Sequence, residues 1–148
     1  MTGDAMAELY QQMILEHNKK PRNFGKLPDA THQAEGFNPL CGDHYTVYLK
    51  LEGGVVKSVY FEGAGCAISK ASASMMTAAL QGKTADEAKA LFEDFHSLLT
   101  GKSEAADRLG KLKIFSGIWK YPSRVKCASL SWHAMKSALV GGQTVTTE

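Results

Sequence analysis

The sequence predicts an α+β fold in which the strands precede most of the helices. Residues 44–51 alternate between apolar and polar side chains, as expected of a half-buried strand. Gly53 and Gly54 then predict a two-residue hairpin turn, because the central positions of such turns favour positive φ. Residues 55–62 form the return strand, so this part of the sheet is predicted to be antiparallel. From residue 66 onward the apolar spacing is that of amphipathic helices.

The composition is that of an ordinary globular protein, and we expect one domain over residues 1–148. The 17 basic and 15 acidic residues are interspersed and leave a net charge of +2, which argues against a nucleic-acid partner. The first residues lack the pattern of a secretion signal, and no apolar run approaches the roughly 18 residues of a membrane span. We therefore expect a cytoplasmic protein with no membrane partner.

An amphipathic helix is predicted first, with Asp4 as its N-cap and Pro21 at its end. Its apolar residues recur at helical spacing, and they are Met6, Leu9, Tyr10, Met13 and Ile14. Residues 21–30 contain two prolines and a glycine and are predicted to form a loop. Residues 31–37 are predicted to form a short edge strand.

Two helices are predicted directly after the hairpin. Residues 66–81 are rich in alanine and serine, whose small side chains permit close packing, and Gly82 is a suitable residue to end this helix. Thr84 and Glu87 have the spacing of a capping box and therefore mark the start of the next helix.

The last third of the chain is less regular. A short helix is predicted at residues 103–109, whereas residues 110–121 are apolar without a clear period. Three aromatic residues of this segment are assigned to the core rather than to an exposed contact patch: Phe115, Trp119 and Tyr121. Pro122 suits the first position of a final helix that runs through Leu139. Residues 141–148 are expected to be a frayed tail.

Three cysteines and one nearby carboxylate are the candidate functional residues: Cys41, Asp43, Cys66 and Cys127. An odd number of widely spaced cysteines in a reducing compartment is more typical of metal ligands or reactive thiols than of disulfides. Three thiolates and one carboxylate can fill the tetrahedral shell of Zn²⁺. The hairpin should make Cys41 and Cys66 neighbours, whereas only helix packing can bring Cys127 to them. Three buried, inert cysteines are the alternative.

Charged residues near the cysteines fit a metal site. Arg124 and Lys126 shortly precede Cys127 and would offset the negative charge of three thiolates and a carboxylate. His44 follows Asp43 and is considered as a border residue, but a role outside the ligand set is favoured for every histidine.

The segments around the cysteines resemble the motifs of the NifU/IscU-type iron–sulfur cluster assembly proteins. They are residues 38–43 (NPLCGD), 61–69 (FEGAGCAIS) and 124–128 (RVKCA), in the order found in that family. The resemblance covers most of the chain. It implies a small antiparallel sheet of about three strands, with helices packed on one face.

Two features are similar to the SufU branch of this family. Lys126 occupies the position where the scaffold branch carries a histidine, and residues 103–121 lengthen the segment between the second and third cysteines. That branch implies a zinc-dependent sulfurtransferase. Such a protein would accept persulfide sulfur from a cysteine desulfurase of the SufS type and pass it to the downstream SUF cluster assembly complex.

The resemblance also implies roles for individual residues. The Zn²⁺ ligands would be Cys41, Asp43, Cys66 and Cys127. Cys41 would be the sulfur acceptor, and Arg124 would contribute to partner recognition or ligand exchange. Two alternatives stay open, namely a scaffold on which a [2Fe–2S] cluster is assembled and a non-catalytic zinc-containing adaptor of the desulfurase.

Overall fold

The computed structural model describes residues 3–39, 41–102, 107–141 and 144–146. The elements of this part are, in order, α1 (Gly3–Lys19), β1 (His32–Asn38), β2 (Asp43–Glu52), β3 (Val55–Ala64), α2 (Ala67–Leu80), α3 (Ala85–Leu99), two 3₁₀ helices (Asp107–Phe115 and Ile118–Lys120), α4 (Pro122–Leu139) and β4 (Thr144–Thr146). None of these helices is long and apolar enough to cross a membrane.

The sheet has the strand order β3–β2–β1–β4. β1, β2 and β3 pair antiparallel, which confirms the predicted three-stranded arrangement. Gly53 and Gly54 connect β2 to β3 with φ values of 57° and 77°, as this kind of turn requires. The inward side chains of β2 are fully buried, and they are Tyr45, Val47 and Leu49.

The fourth strand corrects two predictions. β4 pairs in parallel with β1, so β1 is an inner strand rather than the predicted edge. β4 also lies within residues 141–148, which the sequence predicts to be frayed. The β-branched residues of Thr144–Thr146 favour extended backbone, and the outer edge of β1 offers them hydrogen-bonding groups. Residues 142–143 and 147–148 lie outside the described part of the chain.

Helices α2 and α4 pack on the sheet, which confirms the predicted α+β arrangement. α4 contacts β1 and β2, α2 contacts β3 and α4, and α1 and α3 pack on α2 and α4 respectively. α4 approaches β1 closely at Gly36, where a Cβ atom would lie 3.1 Å from Leu130 Cδ1. The buried Trp132 of α4 donates from Nε1 to Ser72 Oγ of α2 at 3.2 Å. This contact fixes the two helices to each other.

The helix boundaries agree with the predictions within a few residues. Thr84 and Glu87 make both hydrogen bonds of the predicted capping box, and Gly82 follows α2 with a φ of 84°. α1 already begins at Gly3, so Asp4 is a helical residue and not the predicted N-cap.

The segment before α4 consists of 3₁₀ turns that the sequence does not predict. Residues 103–106 of the predicted helix at 103–109 lie outside the described part, and Gly110 interrupts the first 3₁₀ helix with a φ of 53°. Phe115 is buried in the core as predicted. Trp119 and Tyr121 are each 50% exposed, so their assignment to the core is wrong. They lie at the surface, where the chain turns into α4.

Candidate metal centre

Two cysteines and a carboxylate that are distant in the sequence meet in the structure. Cys41 lies in the loop between β1 and β2, Asp43 is the first residue of β2, and Cys127 lies in α4. One ligand atom of each residue lies within 4.8 Å of the other two. All three cysteines of the chain are free thiols. The structure therefore gathers three of the four expected ligands into one group and places Cys66 beside it.

The pairing of β1 with β2 positions the Asp43 carboxylate. Asp43 pairs with Asn38 at the end of the ladder and is 2% exposed. Its Oδ1 accepts a hydrogen bond from the Cys66 backbone N–H at 2.8 Å, and its Oδ2 accepts one from Asn38 Nδ2 at 3.3 Å. The carboxylate therefore connects the two strands to the start of α2.

Gly65 permits this close approach. A Cβ atom at Gly65 would lie 2.5 Å from Asp43 Oδ1, 2.6 Å from Ser69 Oγ and 2.7 Å from the Tyr45 hydroxyl oxygen. Side-chain carbons do not approach polar atoms so closely, so any larger residue would push these groups apart. The backbone between β3 and α2 is thus shaped to bring Cys66 against Asp43.

Cys66 is the N-cap residue of α2, and its Sγ accepts a hydrogen bond from the Ser69 N–H at 3.4 Å. A hydrogen bond from the Cys127 thiol and the Ser69 N–H lower the pKa of Cys66 to about 6, although its partial burial opposes this shift. The hydrogen bond with Cys66 and burial raise the pKa of Cys127. Cys66 is therefore the preferred thiolate of this pair and is linked to the group of three through Cys127.

The three thiols differ in their access to solvent. Cys127 is 4% exposed, Cys66 is partly buried and Cys41 is exposed. Gly42 follows Cys41 with a φ of 73°, in a tight turn that carries the thiol at the surface. An incoming molecule therefore meets Cys41 first.

Arg124 lies in the first turn of α4, before Cys127. Its guanidinium lies over the ring of Tyr121, with Cζ 4.5 Å from the ring centroid. Both residues line a cavity of about 590 Å³ together with Tyr10 of α1. Burial raises the pKa of Tyr10, while the charge of Arg124 lowers it and the charge of Cys127 adds to the increase.

Two histidines considered from the sequence lie outside the ligand group. The ring of His44 stacks on Phe37 of β1, with centroids 4.2 Å apart, and points away from the core. His133 packs against Phe92 and His96 between α3 and α4. The structure thus places His44 at the surface and His133 in the contact between α3 and α4.

Asn38 is a site residue that the sequence reasoning does not identify by role. It is fully buried, and its Nδ2 contacts both Asp43 Oδ2 and Cys127 Sγ, at 3.3 Å and 3.6 Å. A polar residue at a buried strand position, five residues from a candidate ligand, is the signal that could have identified it.

The chemistry of the donor set fits a metal ion. Thiolates and a carboxylate are common ligands of Zn²⁺, and thiolates also hold iron in [2Fe–2S] clusters. Anionic groups removed from water and placed this close together are unfavourable without a compensating cation. The described residues are therefore suited to hold a divalent cation at the point where Cys41, Asp43 and Cys127 converge.

The chain is similar to known proteins over most of its length. The sequence model described as NifU-like N terminal domain matches residues 9–128. The chain is 42% identical over 132 residues to the "Zinc-dependent sulfurtransferase SufU" of Bacillus subtilis, covering 88% of this chain and 89% of that protein. It is also 42% identical over 131 residues to the "Iron-sulfur cluster assembly scaffold protein IscU" of Thermotoga maritima, covering 88% and 92%.

A solved structure is similar over nearly its whole length. It is described as a putative iron–sulfur cluster assembly scaffold protein for the SUF system, from Fervidobacterium islandicum. The TM-score is 0.84 at 36% identity, and the match covers 89% of this chain and 97% of that one. This likeness confirms the α+β fold predicted from the sequence.

Proposed function

This chain belongs to the NifU-like N-terminal domain family, and we propose that it acts in iron–sulfur cluster assembly as a zinc-bound sulfur acceptor. The observation that carries the proposal is the convergence of an exposed thiol, Cys41, with the buried donors Asp43 and Cys127. The 42% identity to a relative named as a zinc-dependent sulfurtransferase supports the same chemistry. On this proposal the protein is a sulfurtransferase that works with a cysteine desulfurase.

The proposed ligands of the zinc ion are Cys41, Asp43, Cys66 and Cys127. Bound zinc keeps thiol ligands deprotonated at neutral pH, and a thiolate is the form that attacks sulfur. The protein itself favours the anionic ligands on one side of the site, since the N-terminus of α2 faces Cys66. Arg124 adds a positive charge near the start of α4.

Cys41 is the proposed acceptor because the other three ligands are more strongly held. Asp43 has a hydrogen bond to each of its oxygens, Cys66 is the N-cap of a helix, and Cys127 is buried within α4. Cys41 is exposed and lies on a glycine turn. Its thiolate could therefore reach a partner with less rearrangement of the fold than the other proposed ligands.

The proposed transfer is an exchange at sulfur. The Cys41 thiolate attacks the terminal sulfur of a persulfide on the cysteine of the desulfurase. A new S–S bond forms at Cys41 as the S–S bond on the desulfurase breaks, and the desulfurase cysteine leaves as a thiolate. Atoms and electrons balance without an added oxidant or reductant. A second exchange of the same kind would pass the sulfur to the downstream SUF assembly complex.

The surface where the chain enters α4 is suited to dock the desulfurase, which we take to be of the SufS type. Trp119 and Tyr121 are exposed there, and Arg124 lies over the Tyr121 ring at the rim of the cavity. Exposed aromatic residues and arginine are enriched where proteins bind one another. Arg124 and the proposed ligand Cys127 lie in the same helix, α4, so a partner that binds Arg124 would contact the helix that carries a ligand, which supports a role for this arginine in recognition or ligand exchange.

A scaffold for a [2Fe–2S] cluster is the second candidate function. The relative from Thermotoga maritima is named as a scaffold and is as similar to this chain as the named sulfurtransferase. The same thiolates and carboxylate can hold such a cluster. Lys126 precedes Cys127 in α4, and a lysine ammonium has no lone pair with which to bind iron. The third candidate is the non-catalytic adaptor of the desulfurase. Such an adaptor would bind zinc but would not accept sulfur at Cys41.

One measurement separates the scaffold from the two zinc-dependent functions. The protein is purified without added metal, and its metal content and absorption spectrum are recorded. About one zinc per chain without visible absorption supports the sulfur acceptor or the adaptor. Iron with acid-labile sulfide and visible absorption supports the scaffold. An anaerobic preparation that contains no metal and binds none on titration would contradict all three.

A further inference from the structure

Asn38 lies at the end of β1, directly opposite Asp43 in the antiparallel ladder, and its exposed fraction is 0%. Its Nδ2 donates to Asp43 Oδ2 at 3.3 Å and to Cys127 Sγ at 3.6 Å. These two acceptors belong to elements that are 84 residues apart in the chain, counted from Asp43 to Cys127. One amide group therefore contacts two members of the candidate ligand group.

The orientation of this amide is determined by its acceptors. Asn38 Oδ1 is buried and has no hydrogen-bond partner among the described residues. Rotating the amide by half a turn would place this oxygen against a carboxylate oxygen and a sulfur atom, both of them acceptors. The observed orientation instead gives both N–H groups an acceptor and leaves the oxygen unpaired. The position is thus shaped to donate hydrogen bonds to the Asp43 carboxylate and the Cys127 sulfur.

We propose that Asn38 is a positioning residue that holds the Asp43 carboxylate and the Cys127 sulfur in the relative arrangement a metal ion requires. The inference depends on the proposed function only in taking Asp43 and Cys127 as metal ligands. Groups that orient metal ligands by hydrogen bonds contribute strongly to affinity, and their loss typically weakens binding by about tenfold to hundredfold. Asn38 acts here on a hard and a soft ligand at once.

A second contact supports this role. Asp43 Oδ1 is already held by the Cys66 N–H at 2.8 Å, so Asn38 controls the other carboxylate oxygen. Without Asn38, the carboxylate would keep the hydrogen bond from the Cys66 N–H but lose the one to its other oxygen. The carboxylate group would then be freer to rotate. The Cys127 sulfur would lose its amide donor at the same time. We therefore expect the metal site to become less ordered rather than to disappear.

The test compares Asn38→Leu, which keeps the approximate shape but has no donor, with Asn38→Ser, which keeps one O–H donor. Thr77→Val is the matched control, because Thr77 is also fully buried and hydrogen-bonded but lies about 15 Å along α2 from its first residue. Zinc affinity is measured by competition with a chromophoric chelator, and zinc release by stopped flow. The absorption spectrum of the Co²⁺-substituted protein reports the ligand geometry.

Asn38→Leu is expected to weaken zinc binding by about tenfold to hundredfold, to accelerate zinc release and to shift the Co²⁺ bands. Asn38→Ser should give an intermediate loss, since one hydroxyl hydrogen cannot serve two acceptors at once. Thr77→Val should lower the unfolding temperature but leave affinity, release rate and spectrum unchanged. If Asn38→Leu does not fold, the zinc affinity, zinc release rate and Co²⁺ spectrum of Asn38→Ser test the proposal instead.

Native affinity, release rate and Co²⁺ spectrum in a folded Asn38 variant would overturn the role of Asn38 and leave the proposed function intact. Equal losses in the Asn38 variants and in Thr77→Val would also overturn it, because general destabilisation would then explain them. Failure of the native protein to bind zinc would overturn both the inference and the proposed function.

Discussion

The Sγ atoms of Cys41 and Cys127 lie 3.6 Å apart, although the two residues are separated by 86 positions in the chain. This distance exceeds the roughly 2.05 Å of a disulfide bond, so the two groups are neighbouring thiols. One is exposed and the other is buried. The pair is thus accessible from solvent on one side, which has a consequence for the metal-free protein.

If the protein holds the proposed zinc ion, its removal should make this pair sensitive to oxidation. Treatment of the chelator-treated protein with a thiol oxidant such as diamide is expected to link Cys41 to Cys127, because their sulfur atoms need to move by only about 1.5 Å. Bound zinc should protect both thiols. Peptide mapping by mass spectrometry identifies the linkage, and Cys41→Ser is the control that cannot form it. A predominant Cys66–Cys127 linkage would contradict this prediction.

Cys41→Ala should abolish the acceptance of sulfur from a persulfidated desulfurase without unfolding the protein. Cys41 is exposed, so its truncation should change the free energy of unfolding of the zinc-free protein by no more than about 0.5 kcal/mol. Intact-protein mass spectrometry measures the added sulfur. Gln33→Ala, an exposed change on β1, should accept sulfur normally. Full acceptance by Cys41→Ala would refute the assignment, and undiminished stimulation of the desulfurase would favour the adaptor.

Asp43→Ala should weaken zinc binding by at least about tenfold, because it removes one proposed ligand and the acceptor for two donors, Asn38 Nδ2 and the Cys66 N–H. Asp43→Asn is the closer control, since it preserves shape and one acceptor oxygen while removing the charge. Its affinity should lie between those of the native protein and Asp43→Ala. Competition with a chelator measures the zinc affinity of the native protein and of both variants. Equal affinities would show that Asp43 is not a ligand.

The hairpin and the α-helices could be predicted from the sequence because each depends on local chemistry. Alternation over 44–51, the Gly53-Gly54 pair and the Thr84–Glu87 capping box act within a few residues and agree with the structure. β4 was missed because its strand character depends on an edge of β1 more than 100 residues earlier in the chain. A three-residue segment has too little pattern of its own to reveal such a partner.

Part of the candidate site could also be predicted, because some of it depends on local chemistry. Pairing of adjacent strands is a local rule, and it predicted Cys41 and Cys66 as neighbours. The structure shows the Cys66 N–H donating to Asp43, two residues after Cys41. The position of Cys127 depends on how α4 packs on the sheet, which the spacing of residues does not specify. The role of Asn38 required knowledge of both relationships, since its amide contacts one ligand across the ladder and another in α4.

His17 provides a pH-dependent test of how α1 is attached to the fold. It is buried, and its Nδ1 lies 2.6 Å from Ser74 Oγ of α2. Burial lowers the pKa of His17, and the charges of Arg22 and Lys111 lower it further, whereas Glu16 opposes them. The folded protein therefore favours the neutral imidazole.

The sign of the effect on stability follows from this shift. Above about pH 6.5, His17 is neutral in both states and its contribution to stability is fully present. As the pH falls towards the lower pKa of the folded state, the unfolded chain binds a proton first and stability decreases. His17→Gln should reduce this decrease between pH 7.5 and 5.5, measured by urea unfolding of the zinc-free protein. Identical pH dependence in native protein and His17→Gln would show that His17 is not the neutral, buried group that attaches α1 to α2.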